Sequence, residues 1–444
     1  MRVLSSGRLH PFAFLSLLPT VLLLLAGCAA SRLGHTDAFF AGRLDESEQI
    51  IRAQAADSDH AIDVLTLDRA SVLMARGEPR RAERLLRVVR DRWDYLEQQS
   101  LAESAASVAT DDRAKAYAGE EFERVLLRSM LTIANLTDDG GDAYAYSLQA
   151  AAKQRQLEEL GLPPLAVVPF LSAVVRADTR LHAAEAGRSW NRFVRLTDEA
   201  QLAVPPVQLA SHVKPPRPDA LPEPTDAAMA RGPFAVPPRP GMGRVCVFCF
   251  VGRGPRKVAS AVDVGPSAGV MIEGLAVQAD MTVEIPTYIG WGGPPPPVVV
   301  RADGVEHPGR PVLRVTDVAR VESDRQRDAL IQKAAARAAA KTAVAGTAMV
   351  VADANDEPAL ALLAGLALAA SRTAERCDVR HWSCLPDRID TVWLELPAGE
   401  QSLTIIHGGH TATVPVRVRG GRTVSGALWL TDAGPLGQPS GFGL

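Results

Sequence analysis

The sequence has almost no net charge, no long apolar run in its interior and no coherent catalytic constellation. Its 48 Lys and Arg residues stand against 51 Asp and Glu, a formal charge of −3. It therefore lacks the basic excess that would wrap nucleic acid, and nucleic acid is not an expected partner. The apolar stretch 359–370 falls well short of the roughly 20 residues a spanning helix needs, which excludes a polytopic membrane protein. No set of residues with catalytic or cofactor-binding spacing stands out, so the expectation is no enzyme, no cofactor and no metal. What is present is size: 444 residues, 47% apolar and 22% charged, which excludes wholesale disorder and a single small module.

The first residues carry Arg2 and Arg8, then an apolar run over 12–26 interrupted by Pro19, then small residues. That is the order of an export signal. The tetrapeptide Leu25-Ala26-Gly27-Cys28 resembles the lipobox of bacterial lipoproteins. There, cleavage between Gly27 and Cys28 would leave a cysteine whose thiol and amine both take acyl chains. The competing reading is an ordinary signal with a chance cysteine. Two or more acyl chains anchor stably without a protein span. Ala29 follows where an inner-membrane retention signal would often have Asp, so the resemblance implies the periplasmic face of the outer membrane.

Residues 1–27 are thus read as signal peptide and 28–44 as a tether. Over 45–203 the apolar spacing is helical, as in Ile62, Leu65 and Leu67 continued by Met74. The break at Gly77-Glu78-Pro79 predicts a helical hairpin, since Pro79 suits the first turn of a new helix. Gly77 with Ala82, and again Gly140 with Ala145, resemble the turn and close-packing positions of tetratricopeptide units. The glycines are 63 residues apart, not a multiple of 34. Degenerate hairpins and a plain helical array both remain open.

Eleven prolines crowd 205–240, so 204–243 is read as a linker that helix and central strand both exclude. An α/β domain is expected over 244–432, with a tail over 433–444. It opens with Arg244-Val245-Cys246-Val247-Phe248-Cys249-Phe250-Val251, a strand apolar on both faces. Further strands are expected at 281–289 and 297–301, with Asp303-Gly304 as a hairpin turn. A helix over 324–351 would carry the stripe Lys333, Arg337 and Lys341, and a second apolar helix would run over 356–376. Four alternating runs separated by Pro397-Ala398-Gly399, Gly408-Gly409 and Gly420-Gly421 close the domain as an antiparallel meander. The fold class is α+β, multidomain.

The helical stretch Tyr117-Ala118-Gly119-Glu120-Glu121-Phe122-Glu123-Arg124, the turn Gly254-Pro255-Arg256-Lys257, Arg337-Ala338-Ala339-Ala340-Lys341, and Asp378-Val379-Arg380-His381-Trp382-Ser383-Cys384-Leu385-Pro386 together resemble a family of uncharacterised bacterial lipoproteins. Its members have tetratricopeptide-like helices followed by an α/β domain. Cys377 stands where the family has Ala, and the long proline linker is a second departure. Family members are often encoded near activators of penicillin-binding proteins, which implies an envelope role and a partner in peptidoglycan synthesis. No catalytic residue carries over.

The remaining candidates each have two readings. Cys377 and Cys384, seven apart, could form a disulfide in an oxidising compartment. Cys246 and Cys249 match a redox pair on paper, but in a strand they point to opposite faces, which favours buried thiols. Cross-pairing, or a zinc site with His381, stays open. Asp378, Arg380 and Trp382 are either an interaction hot spot or an ion pair beside a core tryptophan. Gly265-Pro266-Ser267-Ala268-Gly269 matches a nucleophile elbow, with Asp353 and His407 completing a hydrolase triad, yet Val270-Met271-Ile272 reads as strand where a helix is required. His407 and His410 flank a Gly-Gly turn and are read as surface histidines.

The leading expectation is a non-enzymatic interaction protein, held to the membrane by acyl chains, whose helical half offers a groove to a partner. A surface-displayed protein is a further possibility.

Overall fold

The computed structural model describes residues 34–57, 61–103, 116–177, 183–203, 234, 237–266, 270–272, 275–277, 280–354 and 377–443. Helices and sheets are mixed, in an α+β arrangement. The signal peptide with Cys28, the second apolar helix over 356–376, Ser267 and nearly all of the proline-rich stretch lie outside the described residues.

Among the described residues, eight helices precede the sheets: α1 (Gly34–Phe40), α2 (Leu44–Asp57), α3 (Ile62–Ala75), α4 (Pro79–Glu103), α5 (Glu121–Leu136), α6 (Ala143–Glu159), α7 (Val167–Arg176) and α8 (Ala183–Ala203). Gly77 ends α3 at φ +74°, and the Glu78 N–H reaches back to the Leu73 carbonyl at 2.9 Å, so α4 restarts at Pro79. Gly140, also at φ +74°, makes the equivalent turn after α5. Ala82 is fully buried, as its spacing predicts, whereas Ala145 is exposed. The inward phase of α6 runs through Ala143, Tyr146, Ala150 and Leu157. Ala145 sits about 200° round from Ala143.

Helices α3, α5 and α7 are buried on nearly every side, while α4, α6 and α8 bury one face only. A helix apolar all round belongs in a middle layer, and that is where these lie. Their inner faces rest on a five-stranded sheet ordered β13-β12-β1-β9-β8. Its strands are β1 (Met242–Val251), β8 (Arg310–Arg314), β9 (Arg388–Pro397), β12 (Thr423–Thr431) and β13 (Gly434–Gly441). β1 runs parallel to β12 and antiparallel to β9.

Alternation along β1 sends Cys246, Phe248 and Phe250 into the core shared with the helices. Val245, Val247, Cys249 and Val251 go into a second core on the far side. That second core is closed by a four-stranded sheet ordered β11-β10-β6-β7, made of β6 (Val298–Ala302), β7 (Val305–Pro308), β10 (Gly399–His407) and β11 (His410–Val418). Asp303 (φ 48°) and Gly304 (φ 78°) turn β6 into β7 with both residues left-handed, as a two-residue hairpin requires.

The two halves therefore share a core. Phe39 meets Trp429 edge-on at 5.1 Å, Phe170 meets Phe248 at 6.1 Å, and Trp190 meets Trp393 at 4.9 Å. Phe234, at the end of the proline-rich stretch, is buried against Phe170 and Trp190. The stretch read as tether also contributes structure: α1 buries His35 and Phe39.

The closing strands do not make one meander. β9 and β12 stand on either side of β1, whereas β10 and β11 form a hairpin in the other sheet. Gly399, at φ 121°, turns the chain from one sheet to the other. The expected tail supplies β13. The polar turn after β1 leads into a strand that periodicity left unmarked, β2 (Arg256–Pro266), which pairs with β5 (Asp280–Ile289) as a separate ribbon. Between them, β3 (Val270–Ile272) pairs with β4 (Leu275–Val277). Helix α9 (Val315–Ala354) starts nine residues before the expected 324 and packs on β5. Its 40 residues give it a length of about 60 Å.

Candidate functional site: a buried acidic joint

Three of the segments singled out in the sequence meet at one place. The N-terminus of α5 brings Tyr117, Glu120 and Glu123, the start of β2 brings Lys257, and the segment before β9 brings Asp378, Arg380, His381 and Trp382. Glu322 of α9 and Tyr288 of β5 complete the cluster, and most of these side chains are buried.

The hydrogen bonds run between elements rather than within them. One Glu123 carboxylate oxygen accepts the Trp382 backbone N–H at 2.9 Å, and the other accepts the Glu120 N–H at 3.1 Å and the Tyr117 hydroxyl. Glu322 accepts the Glu121 and Phe122 N–H groups, both at 2.9 Å. These are the donors that a helix start leaves unpaired, so a side chain some 200 residues away caps α5. Lys257 pairs with Glu120, and its ammonium stands 5.8 Å from the Tyr288 ring.

Burial and the Glu120 charge push Glu322 up to about 8 and Glu123 up to about 7, in spite of the N–H bonds that favour their charged forms. Burial also drives Tyr117 and Tyr288 well above the ordinary phenol value and pulls His381 down toward neutrality. Burial would likewise lower Lys257, but the Glu120 carboxylate outweighs it and the ammonium is held charged. Raised carboxyls of this kind suit acid–base chemistry. Here, however, their oxygens are committed to backbone N–H groups, and the cluster acts as a joint between five segments.

A second buried cluster lies next to it. Asp68 Oδ1 accepts the Cys384 N–H at 2.7 Å; Oδ2 lies 2.7 Å from the Ser383 hydroxyl and 2.9 Å from His35 Nε2. His35, Asp68 and Cys384 bring donor atoms within 4.8 Å of one another, a nitrogen, oxygen and sulfur set able to ligate a zinc-like ion. Metal-bound histidine normally donates its second nitrogen to an oxygen, whereas His35 Nδ1 has no partner among the described residues. Both Asp68 oxygens already accept hydrogen bonds, so the cluster is tied together by Asp68 while His35 Nδ1 stays unpartnered among the described residues. His381, the histidine considered from sequence, bonds the Val379 carbonyl instead.

The other candidates are placed as follows. Asp378 and Arg380 form an ion pair at 2.7 Å with Arg380 over the Tyr117 ring, and Trp382 is a core residue whose Nε1 donates to Ser71 at 3.0 Å. Trp382 is therefore internal, while the Asp378–Arg380 pair stays half-buried at its edge. Cys246, Cys249, Cys377 and Cys384 are unbridged. Cys377 remains half-buried, while Cys384 is buried facing Asp68. Cys246 and Cys249 lie on opposite faces of β1, and burial pushes both thiols up. His407 pairs with His410 in register across the hairpin; His407 is buried, and exposed His410 bonds the Asp432 carbonyl. Lys333 is exposed on α9.

Sequence reasoning missed Glu322, Tyr288, His35 and Asp68. No spacing marks them, because each acts on an element distant in the chain. Among the described residues no helix is long and apolar enough to cross a membrane. Compared with protein-family models, curated proteins and solved structures, the chain matches none.

Proposed function

We propose that this chain is a lipid-anchored protein of the bacterial envelope that holds partners rather than catalysing a reaction. The observation that carries the non-catalytic reading is the closed joint: the carboxyls with raised affinity for protons, Glu123 and Glu322, are buried and bonded to backbone. The anchoring rests on Leu25-Ala26-Gly27-Cys28, and the outer-membrane address on Ala29. The hairpins turned by Gly77 and Gly140 are in keeping with a tetratricopeptide-like array.

In this reading the inner helical faces are not the partner surface, because the protein's own sheet covers them. Exposed apolar side chains on offer are Val88 and Tyr95 on α4 and, on a separate helix, Val321 on α9. A partner in peptidoglycan synthesis is proposed from the family resemblance alone.

Two measurements test the reading. Mass spectrometry of the N-terminal peptide should find Cys28 acylated, with Cys28→Ala released from the membrane fraction. Photo-crosslinkers at positions 88, 95 and 321 of the anchored protein should capture an envelope protein. An acylated Cys28 with no crosslink at any of the three would sink the scaffold function.

A further inference from the structure

Of the six tryptophans, five are buried or half-buried and one is exposed, Trp291 at 38%. It stands on the loop between β5 and β6, followed by Gly292, Gly293 and four prolines, which stiffen the way back into β6. Two guanidinium groups flank its ring, Arg253 at 3.5 Å from the centroid and Arg256 at 4.6 Å. Among the described residues Arg256 has no carboxylate partner, and Arg320 lies beside Gly290 at the base of the loop. Arg253 carries an ion pair to Asp37, so among the described residues the cation beside this amphipathic ring that has no carboxylate partner is Arg256.

The position of the corner relative to the N-terminus gives it meaning. Arg253 pairs with Asp37 of α1 at 2.7 Å and lies over the Phe40 ring at 5.3 Å. Helix α1 begins at Gly34, six residues after Cys28. Six residues of chain span at most about 21 Å, and Asp37 is less than one turn into the helix. An acyl chain on Cys28 would therefore hold Trp291 within a few tens of ångströms of the bilayer surface.

We propose that Trp291, Arg253 and Arg256 form a docking corner for the surface of an anionic lipid bilayer, which orients the anchored protein on its membrane. The proposal rests on the acylation of Cys28. Tryptophan belongs at the headgroup level, where its ring is partly buried and its N–H stays wet, and arginines there meet anionic headgroups. A single corner of this size binds weakly when free. Tethering by the acyl chains makes the encounter intramolecular and raises its effective concentration.

The test uses the acylated protein reconstituted into phosphatidylcholine vesicles with and without phosphatidylglycerol, and containing a lipid that carries a quencher at the headgroup. Part of the tryptophan emission should be quenched when phosphatidylglycerol is present. That part should fall to background in Trp291→Phe, shrink at least severalfold in Arg256→Gln and weaken with added salt. Equal quenching in wild type and Trp291→Phe would overturn the docking corner. The same signal with and without phosphatidylglycerol would overturn its preference for anionic lipid. Protein that fails to float with the vesicles and lacks acyl mass at Cys28 would instead overturn the anchoring on which the proposal stands.

Discussion

Glu322 accepts the backbone N–H groups of Glu121 and Phe122 at 2.9 Å each, so a residue of the long helix α9 serves as the cap of α5. The cap is ionisable, and the protein's stability should register its proton.

In the folded chain Glu322 keeps its proton to about 8 and Glu123 to about 7, against an ordinary value of 4.5. Across that interval the folded state binds more protons than the unfolded one, so this contribution is fully present below about pH 4.5 and is lost as the pH rises through 7 and 8. Glu322→Gln should cost at most about 1 kcal/mol at about pH 5, where the neutral acid and the amide differ only in the weaker second acceptor oxygen. The deficit should shrink or reverse at about pH 8.5, where wild type holds a buried charge. Urea unfolding midpoints of both proteins across this range measure it.

Trp382→Ala should destabilise by about 3–5 kcal/mol, as befits a core tryptophan, and Trp382→Phe by about 1–2 kcal/mol, because the Ser71 hydroxyl loses its donor. Chemical denaturation checks both. A neutral Trp382→Ala would mean that the side chain faces a partner rather than the core.

Thiol chemistry tests the cysteines. In a Cys28→Ala protein, a thiol reagent should reach at most Cys377 in the native state and four thiols in denaturant, since Cys246, Cys249 and Cys384 are buried with raised thiols. Only two thiols in denaturant would mean that a disulfide forms.

Gly437 sits at φ +63° where a Cβ would run into the Ala75 carbonyl at the end of α3. Gly437→Ala should cost about 2 kcal/mol or more, read as a drop in melting temperature. A neutral result would mean that β13 does not pack on α3.

What the sequence reveals here is what neighbours in the chain decide. Gly77 and Pro79 mark the end of one helix and the start of the next, Asp303-Gly304 marks a hairpin, and alternation along β1 separates Cys246 from Cys249. Hidden are the features made by distant partners. Nothing near Glu322 announces the α5 N-terminus. Nothing in the run from Arg388 to Leu430 shows that β10 and β11 join β6 while β9 and β12 flank β1. Ala145 misled because small size alone does not give helical phase, and the closing Gly-rich stretch looks like a tail until β12 is there to pair with it.

The placement of β1 has a consequence for the order of events as the chain is made. Its partners, β9 and β12, begin about 145 and 180 residues later, at Arg388 and Thr423. A polypeptide emerging N-terminus first therefore presents the inner faces of α3, α5 and α7 long before the sheet that covers them exists. During that interval Leu73, Leu127 and Phe170 are open to any apolar surface nearby. Completion of the fold waits on the last few dozen residues, so a chain cut short before Thr423 leaves the faces of α3 and α5 that rest on β12 and β13 uncovered, a target for aggregation or for a protease.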